Sequence, residues 1–179
     1  MRRVESSMRE DFYRVHSEGS GAGWCHCVAW WVPSWDGWGE RTAIQNKSPR
    51  DALFERGDRD GYLMYADGDL VAWLQCGPRD GWPKLSAQYG LEPDPEVWAI
   101  TCFQLVPELR GRGLGHRLLE HVLEDLRARG VVRVRGFPRR GEDLDPGAVW
   151  TGPEAVYRRA GFFLERDDPE RPVSAKSLE

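Results

Sequence analysis

The chain has 179 residues, 40% of them hydrophobic and 30% charged, the profile of one folded unit with a sizeable core. Its net charge of −4 disfavours a nucleic-acid partner. No apolar run reaches membrane-spanning length and the N-terminus lacks a signal-peptide core, so no membrane partner is expected and the cytoplasm is the expected location.

Taken in order, Ser6 to His16 is expected to be a short helix, with Met8, Phe12 and Val15 near one face. Ser17 to Gly23 is a Gly/Ser break. Trp24 to Val32 is apolar and aromatic and is expected to be the first strand, followed by a loop over Pro33 to Gly39. Arg41 to Asn46 reads as a helical turn. A second helix is expected to open at Ser48 as N-cap with Pro49 in its first turn and to end near Gly57. Tyr62 to Ala66 and Leu70 to Cys76, joined by Asp67-Gly68-Asp69, form a hairpin signal. Trp82 to Asp94 is a connector rich in turn residues.

Val97 to Val106 then reads as a buried strand that Pro107 ends. Leu114, Leu118, Val122 and Leu126, widened by Leu119 and Leu123, predict an amphipathic helix that Gly130 closes. Val131 to Phe137 is the next strand, expected to run parallel to Val97–Val106 across that helical crossover. Pro138 to Pro146 is a charged loop, Pro153 to Ala160 a short helix, and Phe162 to Glu165 a last strand. The tail from Asp167 is polar, with Ser177-Leu178-Glu179 read as a foreign remnant. Residues 1–23 are therefore expected to be an N-terminal extension, 24–166 a single domain and 167–179 a tail.

Between the Val97–Val106 strand and the helix lies Arg110-Gly111-Arg112-Gly113-Leu114-Gly115. Glycines let a ligand approach the backbone, and the unpaired N–H groups of a first helical turn face it, so the stretch suits a phosphate or pyrophosphate. A P-loop needs Gly-Lys-Ser/Thr, and a dinucleotide fingerprint needs G-x-G-x-x-G early in a βαβ unit; neither fits. The pattern (Gln/Arg)-x-x-Gly-x-(Gly/Ala) does fit, with Arg110, Gly113 and Gly115 at its fixed positions. Here the sequence resembles the GNAT superfamily of N-acetyltransferases, most specifically over Tyr62 to Phe162. Tyr157-Arg158-Arg159-Ala160-Gly161-Phe162 looks like that family's later Tyr-x-x-x-Gly-Phe motif.

The resemblance implies an α/β (α+β) fold with a mixed, largely antiparallel central sheet flanked by helices, and acetyl-CoA as co-substrate. It implies that the backbone at Phe103, Gln104 and Leu105 binds the pantetheine arm, that Arg110, Gly111, Arg112, Gly113, Leu114 and Gly115 take the pyrophosphate, and that the Tyr157 hydroxyl protonates the departing sulfur. A phenol suits that task, being neutral at pH 7. The alternative for Tyr157 is a ring that merely packs. Family members often carry Asn seven residues before this Tyr; Trp150 stands there, which puts in doubt how the cofactor's far end is held.

The acceptor is expected to be the amine of a small molecule. The general base is not readable: His26, Glu154, or water relayed through Gln104 or Thr101 are the candidates, and Cys102 as an acyl-carrying nucleophile lacks a basic neighbour in sequence. Five of the nine tryptophans crowd into Trp24–Trp38. They either line an acceptor pocket, with Trp24, Cys25, Trp30 and Trp31 as its residues, or form core or a homodimer face. Cys25-His26-Cys27 lacks usual zinc spacing, and no metal is expected. A CoA-binding sensor without catalysis, and a transferase for a longer acyl group, are the rival readings.

Overall fold

The computed structural model describes residues 1–18, 23–141 and 149–179. Its elements are β1 (Arg2–Arg3), α1 (Arg9–Glu18), α2 (Ala43–Arg56), β2 (Gly61–Ala66), β3 (Asp69–Pro78), α3 (Pro83–Tyr89), β4 (Val97–Leu105), α4 (Leu114–Ala128), β5 (Arg133–Gly136), α5 (Glu154–Arg159), β6 (Phe163–Arg166) and β7 (Val173–Ser177). Among the described residues the strands form one seven-stranded sheet in the order β1-β2-β3-β4-β5-β7-β6. Every pairing is antiparallel except β4 with β5, which run parallel. The mixed, largely antiparallel sheet flanked by helices is the architecture the family resemblance implied. No helix among the described residues is long and apolar enough to cross a membrane.

Local chemistry explains most elements. Asp67 and Gly68 both take positive φ, 52° and 92°, the conformation a two-residue hairpin turn demands, and they join β2 to β3. Parallel strands need a crossover, and α4 supplies it between β4 and β5. On one sheet face Leu118, Leu119, Val122, Leu123 and Leu126 of α4 pack on Tyr62, Leu74, Ile100 and Phe103. On the other, Met8, Phe12 and Val15 pack with Phe54, Leu63, Trp73 and Cys102. Beside them a third cluster gathers Trp30, Trp82, Leu85, Tyr89 and Phe137.

Three expectations are corrected. First, Trp24–Val32 forms no strand. It is a series of turns, closed by bonds such as Val28 N–H to Cys25 O at 3.1 Å and Trp31 N–H to Val28 O at 2.9 Å. His26 and Cys27 stand at positive φ, 44° and 49°. The run is held by tertiary contacts: Gln75 Nε2 donates to the Cys27 carbonyl at 2.9 Å and Asn46 Nδ2 to the Trp24 carbonyl at 3.0 Å. An apolar aromatic run looks the same to a periodicity argument whether a ladder or side-chain donors satisfy its backbone.

Second, α2 starts six residues before Pro49, at a capping box. Thr42 Oγ1 accepts the Gln45 N–H, and Gln45 Oε1 accepts the Thr42 N–H. Pro49 thus lies inside the helix and cannot donate to the Gln45 carbonyl. The Arg41 guanidinium donates to that oxygen instead, at 2.9 Å.

Third, the segment expected to be a polar tail supplies β7, which inserts between β5 and β6. Leu178 is buried, its N–H donates to the Val132 carbonyl at 2.9 Å, and its own carbonyl accepts from Arg127 Nε at 2.9 Å. A residue so engaged is part of the core, not an appendage. The Gly/Ser break and the charged loop lie partly outside the described residues.

Candidate active site

The site begins where the sheet opens. β4 and β5 pair from Val97↔Arg133 to Ile100↔Gly136, and there the register ends. β5 leads into Phe137-Pro138, and Pro138 has no N–H with which to continue a ladder. The next stretch of β4, Thr101–Leu105, keeps β3 on one side and is released on the other. Phe103 donates its N–H across the opening to the Trp150 carbonyl at 2.6 Å. Alternation along a strand turns the Leu105 N–H to the same side.

A cleft of about 580 Å³ occupies this opening. Its walls are Phe103, Gln104 and Leu105 from β4, the loop residues Arg110, Gly111 and Gly113, the first turn of α4 through Leu114, Gly115 and His116, and Val149, Trp150, Pro153, Val156 and Arg159 opposite. Of the ten residues expected to hold donor or acid, the structure brings eight together here. Arg112 is solvent-exposed and is not part of the wall, and Tyr157 is treated below.

The loop is shaped by two positive-φ glycines, Gly111 at 72° and Gly113 at 75°, where a side chain would be strained. Gly113 is the N-cap of α4, and no side chain caps the helix. The first N–H with a carbonyl of this helix end as partner is that of Arg117, bonded to Gly113 O at 3.2 Å. The N–H groups of Leu114, Gly115 and His116 are therefore the orphan donors of the helix mouth, at the positive end of its dipole. The Arg110 guanidinium reaches back to the Leu105 carbonyl, at 3.1 and 3.3 Å, and fixes the loop to the end of β4.

Tyr157, the implied acid, does not line the cleft. Its hydroxyl donates to the Thr151 carbonyl at 2.8 Å, and the residue is 0% exposed. Burial pushes its phenol pKa well above the ordinary value. The ring fills space that glycine leaves: a Cβ on Gly136 would run into it, and a Cβ on Gly152 would meet both it and the Phe103 ring. Tyr157 thus clasps the 149–152 turn whose carbonyl engages Phe103. Sequence reasoning missed His116, Val149, Pro153, Val156 and Arg159. The three-residue spacing of Pro153, the N-cap of α5, with Val156 and Arg159 within that helix was the available signal.

The residues expected on the acceptor side lie elsewhere. Trp24, Cys25, Trp30 and Trp31 do not line the cleft. Trp30 is buried and packs on Trp150 with ring centroids 5.6 Å apart. Trp31 Nε1 donates to Asp60 at 3.3 Å. Trp24 packs on Trp38, and Cys25 Sγ accepts the Cys27 N–H. The cation that such rings attract is the chain's own: Lys84 Nζ lies 3.6 Å from the Trp35 centroid, 5.5 Å from that of Trp38 and 6.0 Å from that of Trp30. Burial lowers its pKa to about 8.

Among the candidates for the base, Glu154, Thr101 and His26 do not line the cleft. Glu154 holds Arg140 through both oxygens at 2.8 and 3.2 Å. Thr101 Oγ1 donates to Gln75 Oε1 at 3.0 Å in a buried network, and His26 packs edge-on against Tyr13. Of these candidates Gln104 alone faces the cleft. Cys102 sits on the opposite sheet face, with Trp73 and Cys27.

The model of the acetyltransferase (GNAT) family matches residues 24–140. Among solved structures, the aminoglycoside acetyltransferase AAC(6')-Ib in complex with coenzyme A is similar with a TM-score of 0.62 at 18% identity, over 98% of this chain and 92% of that one. The PaiA N-acetyltransferase of Thermoplasma acidophilum, also with coenzyme A, gives a TM-score of 0.56 at 15% identity, over 98% and 96% of the two chains. A search of curated proteins found no match.

Proposed function

Because the chain belongs to the acetyltransferase (GNAT) family, we propose that it is an acetyl-CoA-dependent N-acetyltransferase, an acyltransferase that moves the acetyl group directly to an amine of a small molecule. The observation that carries this reading is the parting of β4 from β5 beside an uncapped helix N-terminus, which joins a strand edge and an anion site in one cleft. Two of the similar structures hold coenzyme A, which supports the same cofactor here.

In this reading the edge of β4 at Phe103, Gln104 and Leu105 lies along the pantetheine arm, with the Leu105 N–H turned toward it while the Phe103 N–H stays on the Trp150 carbonyl. Leu114, Gly115 and His116 donate backbone N–H groups to the pyrophosphate, and the Gly111 and Gly113 positions keep side chains out of its way. Arg159 adds positive charge from α5. Bound acetyl-CoA supplies the activated thioester. The acceptor reaches it as the neutral amine, past Gln104 and Trp150, and held geometry does most of the acceleration. Tyr157 acts as a positioning residue: by holding the Thr151 carbonyl it keeps Trp150 against Phe103.

Calorimetry with acetyl-CoA, with Gly113→Glu as the control, tests the donor half. Tight binding by the parent and none by the variant is the expected result; no binding by the parent overturns the reading. A thiol-release assay over a panel of amines then tests transfer. A second reading, a CoA-binding module without catalysis, is favoured by the internal engagement of Tyr157 and Glu154. It predicts binding with no thiol release from any amine. Competition between acetyl-CoA and longer acyl-CoA esters separates the third reading, a transferase for a longer acyl group.

A further inference from the structure

Thiols and an imidazole meet beneath the Trp-rich turns, on the sheet face away from α4. Cys27 Sγ lies 3.1 Å from Cys102 Sγ, 3.1 Å from His16 Nε2 and 3.1 Å from Trp73 Nε1. All four residues are buried: Cys27 is 3% exposed, Cys102 4%, His16 1% and Trp73 0%. The acetyl-transfer reading uses none of them.

The protons can be placed from the partners. His16 Nδ1 is 2.8 Å from the Phe12 carbonyl. A carbonyl only accepts, so Nδ1 carries the hydrogen and Nε2 offers its lone pair to Cys27. An indole N–H only donates, so Trp73 donates to the Cys27 sulfur. Burial holds the imidazole neutral, with its pKa lowered to about 3, and pushes the Cys27 thiol up. At rest Cys27 is a thiol with a proton acceptor and a donor already in contact with it.

We propose that Cys27 and Cys102 are an oxidative modification site, which a small peroxide converts into a disulfide joining the Trp-rich turns to β4. A disulfide needs sulfurs about 2.05 Å apart, so the pair at 3.1 Å closes by roughly an ångström. The turn side has reason to give. Cys27 and its neighbour His26 stand at positive φ, a conformation that costs a non-glycine residue energy, whereas Cys102 is fixed in the ladder with β3.

The chemistry balances. Cys27 Sγ attacks one peroxide oxygen and the O–O bond breaks. The thiol proton passes through His16 Nε2 to the departing oxygen, which leaves as water and leaves a sulfenic acid on Cys27. Cys102 Sγ then attacks the Cys27 sulfur and expels hydroxide, which takes the Cys102 proton as a second water. Two thiols are oxidised by one electron each, and one hydrogen peroxide is reduced by two. Cys102 immediately precedes Phe103 and Gln104 of the cleft wall, so the bond would tie that wall to the turns.

The test is mass spectrometry of the full chain after hydrogen peroxide, alkylated without reduction. The expected result is a chain that carries two alkyl groups fewer than the untreated protein alkylated under the same denaturing conditions, with the peptides carrying Cys27 and Cys102 joined until dithiothreitol is added. Cys76→Ser, on the opposite face, is expected to cross-link as the parent does. Cys27→Ala and Cys102→Ser are each expected not to, and either suffices if the other fails to fold. A Cys25–Cys27 bond, oxidation of Cys25 alone, or no change in folded protein that cross-links once unfolded in urea would each overturn the proposal. None of these outcomes depends on acetyl transfer or CoA binding.

Discussion

The two sides of β4 use their polar groups in opposite ways. On the cleft side two left-handed glycines and an uncapped helix mouth leave backbone donors facing a cavity. On the other side the charged groups are largely spent within the fold, while the Trp30 and Trp82 indole nitrogens and His26 Nδ1 are buried without a partner. Asp60 accepts from the two terminal Arg50 nitrogens at 2.8 and 2.9 Å and also from Gln75 and Trp31. Lys84 occupies the tryptophan cage. The contrast teaches that a ligand cleft is marked by backbone donors that face a cavity, and that a density of tryptophan does not by itself make an acceptor pocket.

The contrast breaks most severely at Asp60. Arg50 is 0% exposed and stacks over Phe12, Phe54 and Trp73. Asp60→Ala leaves that guanidinium without its carboxylate and is expected to cost roughly 3–5 kcal/mol by urea denaturation. The cleft side is not touched, so CoA affinity of the fraction that stays folded should match the parent's.

Gly113→Glu is the converse. The expected effect is a loss of CoA affinity of about 100-fold or more, since a carboxylate enters an anion site. Stability should fall by only about 1–2 kcal/mol, the cost of a positive-φ side chain. A large loss of stability would show that the loop is a structural turn. Gly136→Ala tests the packing between the two sides. Its Cβ would strike the Tyr157 ring, so about 1–3 kcal/mol of destabilisation is expected by thermal melting.

Tyr157→Phe removes one buried hydroxyl and leaves the Thr151 carbonyl without its donor, an expected loss of about 1–2 kcal/mol. If the residue only positions the 149–152 turn, KM for acetyl-CoA rises more than kcat falls. A fall in kcat alone, with unchanged KM, would restore the acid role. A probe that needs no change of sequence is pH. His16 is held neutral in the fold, with its pKa lowered to about 3 by burial, against about 6.5 unfolded. Between those values the unfolded state binds the extra proton, so this contribution is full above about pH 6.5 and falls away as the pH drops toward 3, by up to about 1.4 kcal/mol per pH unit. In His16→Gln that part of the acid sensitivity should vanish.

How much was legible follows from where each signal lives. The hairpin, β4, the glycine loop, α4 and the parallel step to β5 were all readable, because Asp-Gly, the proline after the strand, the glycines and the four-residue leucine spacing act on the backbone within a few residues. The start of α2 was readable in principle from Thr42 and Gln45, but the proline signal at Pro49 outweighed it. Nothing local reveals that Arg41 donates to the carbonyl Pro49 leaves open, nor that Val173–Ser177 pairs with β5.

The sequence by itself determined the strand–loop–helix unit and its aptness for a phosphate, since glycine conformation and helix-end donors are local properties. The tertiary structure alone decided three things. It turned Trp24–Val32 into turns, because Gln75 and Asn46 side chains, distant in sequence, satisfy its carbonyls. It buried the Tyr157 hydroxyl on Thr151, because Gly136 and Gly152 leave room for the ring. It brought Cys27, Cys102 and His16 into contact, because the opposite face of the same strand that lines the cleft must also be covered.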